Sequence, residues 1–223
     1  MTAGPFRDRT EAGRLLAGKL KPYANRPDVV VLALPRGGVP VGFEIAKALH
    51  AALDVMVVRK LGTPGQEELA MGAITSGGVR VLNRSIVDAL GIAESVIESV
   101  AAREQQELEQ RERLYRGART APEIRDRVVI LVDDGIATGA TMRAAIAALR
   151  QQHPARLVVA VPVAPRSTVR ELQAEGEEVV CVRALEPFGA IGAWYENFAQ
   201  VSNEEVCELL EQAASDRSAT PTR

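Results

Sequence analysis

The chain has little of what many catalytic centres are built from. Its 223 residues include two cysteines, Cys181 and Cys207, and two histidines, His50 and His153. The cysteines lack metal-ligand spacing and read as reduced, buried thiols, and the histidines are too scattered for a zinc site. No apolar run reaches membrane-spanning length, and the N-terminus lacks the apolar segment of a signal peptide. A cytoplasmic protein with no membrane partner is expected. The net charge of −2 is spread over mixed acids and bases, which excludes a general nucleic-acid binder. The phosphate-loop pattern G-x-x-x-x-G-K-[ST] is absent. No internal repeat or clear linker divides the chain, and its length suits one domain with additions.

What is present concentrates at residues 128 to 142. Five apolar residues, Val128 to Val132, predict a buried strand that ends in Asp133 and Asp134. A loop of small residues follows, Gly135-Ile136-Ala137-Thr138-Gly139-Ala140-Thr141, and an Ala-rich helix opens at about Ala140. Ligands bind at the carboxyl ends of strands in open α/β sheets. A Gly/Ala/Thr loop lets backbone N–H groups approach an anion, and the following helix N-terminus favours negative charge. Two carboxylates beside a phosphate cradle suit a phosphorylated sugar, because carboxylates accept hydrogen bonds from ring hydroxyls. A plain strand-turn-helix explains the pattern poorly, since a buried Asp pair is costly without a use.

The remaining elements alternate. Helices are expected at 8–21, 39–49, 93–115, 140–151, 167–176 and 203–213, and strands at 29–34, 53–58, 128–132, 157–163 and 179–182. Residues 70–75 and 79–82 alternate around Ser76-Gly77-Gly78 as a hairpin, residues 61–70 read as loop, and 214–223 as a polar, disordered tail. Strands alternating with helices predict an α/β fold, a central mostly parallel sheet flanked by helices, interrupted by an inserted hairpin and long helix. The long helix carries Val96, Ile97, Val100, Leu108 and Leu114 as its apolar stripe, with pairs such as Glu107 and Arg111 on the solvent side; a dimer interface is the sharper alternative.

Residues 129 to 141 resemble the phosphoribosyl pyrophosphate (PRPP) motif of type I phosphoribosyltransferases: four apolar residues, two acids, a linker, Thr-Gly, one residue, then Thr. The likeness extends over about residues 25 to 200, with the motif as its specific part. It implies a single phosphoribosyltransferase-like domain with a core at about 25–183 and a small C-terminal hood at about 184–200, joined by the N-terminal segment. It implies transfer of the phosphoribosyl group from PRPP to a planar, nucleobase-like acceptor with release of pyrophosphate, Mg²⁺ as cofactor, and a homodimer. Gly135 to Thr141 would hold the 5′-phosphate, and Asp133 and Asp134 the ribose hydroxyls, directly or through metal. Leu34-Pro35-Arg36-Gly37-Gly38 is similar to the pyrophosphate loop of that family, in which Arg36 would clamp phosphate oxygens. Lys60, with Arg59 second, would touch pyrophosphate at the end of the second strand. Leu61 to Gly78 would be the mobile loop over PRPP, with Glu67 and Glu68 as acids of open role.

Phe188, Trp194 and Tyr195 belong to an aromatic cluster in a chain with only 4% aromatics. They would either stack on the acceptor or anchor the hood. The Asp-Asp pair is similar to that of adenine-type enzymes. Ala137 stands where hypoxanthine/guanine-type enzymes carry Asp, which argues against a 6-oxopurine acceptor. Two other classes compete. A non-catalytic PRPP-binding regulator would keep the motif, but this chain shows no basic DNA-binding face. A phosphosugar or nucleotide hydrolase would need a strand-end nucleophile with a paired base, and no second partner is evident.

Overall fold

A computed structural model describes residues 4–218, except the side chains at 67, 68 and 218. Glu67, Glu68 and the end of the tail therefore lie outside the described residues. Five parallel strands form the main sheet: β1 (Val29–Ala33), β2 (Ala52–Val55), β6 (Val128–Val132), β7 (Arg156–Pro165) and β8 (Glu178–Leu185), in the order β2-β1-β6-β7-β8. Strands β3 (Val58–Thr63), β4 (Gln66–Thr75) and β5 (Arg80–Leu82) make a separate antiparallel sheet. Helices α1 (Arg9–Lys19), α2 (Gly38–Leu49), α3 (Arg84–Leu90), α4 (Glu94–Arg116), α5 (Ala140–Arg150), α6 (Arg166–Ala174) and α7 (Asn203–Ser218) complete the fold.

The central strands are apolar on both faces because both faces are covered. Successive side chains alternate: Val29, Val31, Val128, Ile130 and Val132 pack with Leu16 and Ile45 of α1 and α2. Val30, Leu32, Val129 and Leu131 pack with Ile146 and Leu149 of α5 and Leu172 of α6. From β1 the chain moves outward to β2, then returns to β6 and proceeds the other way. The carboxyl ends of β1 and β6 therefore flank the topological switch point, where such sheets open a crevice.

Several expectations change. The second strand stops at Val55, so Arg59 and Lys60 do not close it; they lie within β3 of the smaller sheet. Residues 61–70 are not a loop, because Pro64 and Gly65 (φ 77°) form a two-residue turn that brings Thr63 opposite Gln66. The segment from Leu61 to Gly78 is thus mostly paired strand. The hairpin around residues 76–78 is present, with Gly78 N–H donating to Thr75 O at 2.9 Å. Helix α3 adds to the expected elements. Helix α7 runs through 214–218 in place of the expected disordered tail, and Ser202 Oγ caps it by accepting from Glu205 N–H at 3.1 Å. The buried stripe of α4 is Ile97, Ala101, Glu104, Leu108 and Tyr115, whereas Leu114 is exposed. Both cysteines are half-buried rather than buried, and burial pushes the Cys181 thiol up to about 11. Among the described residues, no helix is long and apolar enough to cross a membrane.

Candidate active site

The loops after β1 and β6 meet at the switch point. A Cβ on Gly37 would lie 2.0 Å from Asp134 Oδ2, and one on Gly38 would lie 2.8 Å from Val132 O. Glycine at both positions lets the two loops touch. Arg36 is half-buried; its carbonyl accepts from Val39 N–H at 3.1 Å, and its side chain makes no hydrogen bond or close ion pair among the described residues.

Asp133 Oδ1 accepts from Asp134 N–H at 2.8 Å. Burial pushes the Asp133 carboxyl well above its ordinary range, and the charge of Asp134 pushes it further. Burial also raises Asp134, but Arg9 opposes the shift. Arg9 Nε donates to Asp134 Oδ2 at 2.8 Å, and both side chains are about one-tenth exposed. Asp8 caps α1 by accepting from Glu11 N–H at 2.8 Å, which places Arg9 on the first turn. Nothing in the local sequence signals this partner.

The loop that follows is open to solvent at Ala137, Thr138, Ala140 and Thr141. Gly139 takes the left-handed conformation (φ 79°) just before α5. The first N–H groups of a helix have no partner within it, so this end of α5 presents free donors. Two loop carbonyls are tied down elsewhere: Thr168 Oγ1 donates to Ala137 O at 3.1 Å and Arg143 Nη1 to Thr138 O at 2.9 Å. Arg143 is braced by Glu171 and Glu175. Thr168 and Arg143 are supports that sequence reasoning missed.

Two cavities adjoin this centre. One of about 350 Å³ is lined by Arg9, Arg36, Gly37, Asp134, Phe198, Gln200 and Val201. The other, about 900 Å³, lies between the small sheet, α4 and α5; Arg59, Lys60, Thr138, Ala140 and Thr141 are among its walls. The expected grouping of Lys60 with Arg36 is therefore not seen: Lys60 shares a cavity with the phosphate-type loop. Arg59 is held by Glu104 through Nη2 at 2.6 Å and Nε at 2.9 Å. Lys60 makes no such pair among the described residues.

The aromatic cluster folds against the N-terminal segment. Phe6 N–H donates to Trp194 O at 2.8 Å, and Glu196 N–H to Phe6 O at 2.7 Å. Tyr195 is buried, its ring packed on Phe6 and Phe198, and its hydroxyl donates to Asp134 O at 2.6 Å. It ties this segment to the loop after β6. Trp194 stacks on Phe188 at 6.5 Å and donates Nε1–H to Phe188 O at 2.9 Å. None of the three lines either cavity. Tyr195→Phe removes a donor from the Asp134 carbonyl and is expected to cost ~1–3 kcal/mol, read as a fall of several degrees in Tm by calorimetry.

Comparison with known proteins fits this geometry. The profile of the family described as phosphoribosyl transferase domain matches residues 9–189. A protein of Mycobacterium tuberculosis H37Rv, named as a candidate phosphoribosyl transferase, is 44% identical over 211 residues, covering 95% of this chain and 47% of its own length. A counterpart in strain CDC 1551 matches equally. The chain spans about half the length of these curated relatives. The crystal structure of TT1426 from Thermus thermophilus superposes with a TM-score of 0.82 at 44% identity, over 93% of this chain and 98% of that one.

Proposed function

Since the chain belongs to the phosphoribosyl transferase domain family, we propose that it moves the 5-phosphoribosyl group of PRPP to a nitrogenous acceptor, releasing pyrophosphate. The observation that carries this reading is the open Ala137–Thr141 loop at the start of α5, placed directly after the Asp133–Asp134 pair and beside the Arg36–Gly37 loop. In this reading the loop N–H groups and the Thr138 and Thr141 hydroxyls bind the 5′-phosphate. Asp133 accepts hydrogen bonds from ribose hydroxyls. Arg36 and the Gly37 backbone hold the pyrophosphate, which leaves C1 with the bonding electrons as the acceptor nitrogen bonds to C1. The sugar carbon turns cationic on the way, as in glycosyl transfer generally, so alignment and charge stabilisation replace a protein nucleophile.

Magnesium fits as a partner of the substrate. Among the described residues, no group of three or more His, Cys, Asp or Glu is arranged to hold a metal. Mg²⁺ is commonly bound by one or two carboxylates together with substrate phosphates, and in this reading Asp133 and Asp134 would be those carboxylates. Bound there, the ion would neutralise charge on the leaving pyrophosphate. The reading extends to a cytoplasmic homodimer, and light scattering of the purified chain tests the dimer.

Lys60 is assigned here to the 5′-phosphate side, on its cavity wall beside Thr138 and Thr141. Lys60→Ala is expected to weaken PRPP binding about tenfold while leaving Tm unchanged. Arg59→Ala should lower Tm, because it leaves the buried Glu104 carboxylate with only the longer contact to Arg103 Nε at 3.3 Å. Calorimetric titration and thermal melts of the two variants separate these roles. A regulator that binds PRPP without consuming it is favoured by one observation, the Arg9 guanidinium already seated on Asp134. Pyrophosphate release across a nucleobase screen decides between the two readings.

A further inference from the structure

Arg9 joins three parts of the molecule. Its Nε donates to Asp134 Oδ2 at 2.8 Å, and among the described residues it is the one basic side chain paired with that carboxylate. Its Nη1 donates to Ala199 O at 2.7 Å, and its Cζ lies 4.0 Å above the Phe198 ring. The backbone that carries it is fixed as well. Asp8 caps the first turn of α1, Phe6 N–H donates to Trp194 O at 2.8 Å, and Asn197 N–H donates to Arg7 O at 2.9 Å. Residues 6–9 and 194–199 thus form one strap, and Arg9 and Tyr195 are its two contacts with Asp134.

Resting on the transferase reading above, we infer that Arg9 is a positioning residue of the donor site: it acts on PRPP through Asp134, by holding that carboxylate in place. Three groups restrain Asp134. Asp133 Oδ1 accepts from its N–H at 2.8 Å, Tyr195 donates to its carbonyl at 2.6 Å, and Arg9 holds the carboxylate itself. The first two fix the backbone, and neither stops the side chain from turning. Arg9 takes Oδ2, so it orients the group without using both oxygens, and Oδ1 is left to face a ligand. Asp134 lines the same cavity as Arg36 and Gly37, which the reading gives to pyrophosphate. The charge of Arg9 is matched by Asp134, so it demands no anion from the ligand, and its part is geometric. Without Arg9 the carboxylate would lose its counter-charge in a site about nine-tenths buried, and turning toward solvent would relieve it. Removing the partner that orients a ligand-binding group costs about 10–100-fold in affinity.

The test is a pair of double-mutant cycles, read by calorimetric titration with PRPP and Mg²⁺ and accompanied by a thermal melt of each variant. Arg9→Gln is expected to weaken PRPP binding about tenfold. Arg9→Lys keeps the charge but not the planar fork, and should lose only a few-fold. On an Asp134→Asn background, Arg9→Gln should cost no further affinity, within about twofold, whereas on Asp133→Asn it should still cost about tenfold. Should Arg9→Gln not fold, Arg9→Lys carries the same cycles with its smaller effect. Unchanged PRPP affinity in Arg9→Gln, with a lower Tm, would overturn the inference and leave Arg9 as a tie of the strap alone. An undiminished loss on Asp134→Asn would overturn it too, since Arg9 would then meet PRPP directly. So would equal coupling to both acids, the mark of a general loosening. All three leave the transferase reading standing, whereas a wild type that ignores PRPP would remove that reading and this inference together.

Discussion

Gly37→Ala is expected to lower PRPP affinity about a hundredfold. Gly37 has φ −61° and ψ −32°, which alanine adopts freely, so backbone conformation does not forbid the change. The obstacle is space: the new Cβ would lie 2.0 Å from Asp134 Oδ2 and 2.6 Å from its Cγ. The carboxylate has nowhere simple to go, because Arg9 holds it and Tyr195 pins the Asp134 carbonyl. Relief requires the two loops to separate, displacing Arg36 and Asp133 from a common ligand, and misplacement by an ångström is enough for a loss of about 10²-fold. Overpacking should also cost ~1–3 kcal/mol of stability. Gly18→Ala is the control: nothing lies within 4 Å of its Cβ, it sits in α1, and alanine should stabilise that helix by up to ~1 kcal/mol. Titration with PRPP and thermal melts of both variants check the contrast. Unchanged PRPP binding in Gly37→Ala would mean that this loop contact is not part of the site.

Asp133→Asn should separate stability from binding. The folded protein holds the Asp133 proton more tightly than the unfolded chain does, mainly because of burial and then because of Asp134. A raised folded-state pKa means that this group's stabilising contribution is complete below the ordinary aspartate range. It is lost as pH rises through the folded value. At neutral pH, keeping this buried carboxyl therefore costs stability that asparagine does not, and Asn can still accept from Asp134 N–H. The variant should melt higher at pH 7, with each kcal/mol worth about 2–4 °C in a domain of this size, and the gap should close as pH is lowered. PRPP affinity should fall about ten- to a hundredfold, the weight of hydrogen bonds to a charged acceptor. Asp134→Asn differs, because it also removes the counter-ion of buried Arg9 and should not gain stability in the same way. An Asp133→Asn protein that melts lower at pH 7 would contradict this electrostatic account.

Sequence is most legible where local pattern and global position agree. Val128 to Val132 reads as a strand buried on both faces, and it sits at the centre of the sheet. The following small-residue loop is legible because its run of Gly, Ala and Thr leaves the backbone bare, whatever lies around it. The region around Leu61 misleads because Gly62, Pro64 and Gly65 carry loop signals whether they make a long loop or a two-residue turn between paired strands. Arg9 is invisible in sequence because its partner lies 125 residues away, and one arginine on an amphipathic helix looks like any other. The aromatic cluster is easy to locate but its role stays open, since composition does not distinguish a ring with a free face from one packed on its neighbours. Tyr195 is the second kind.

The most direct test of the central claim is calorimetric titration of the purified chain with PRPP and Mg²⁺, beside an Asp133→Asn/Asp134→Asn double variant shown to be folded. The account predicts saturable binding to the wild type that the double variant loses. No binding to the wild type at millimolar PRPP, or equal binding to both proteins, would contradict the placement of PRPP at the end of β6.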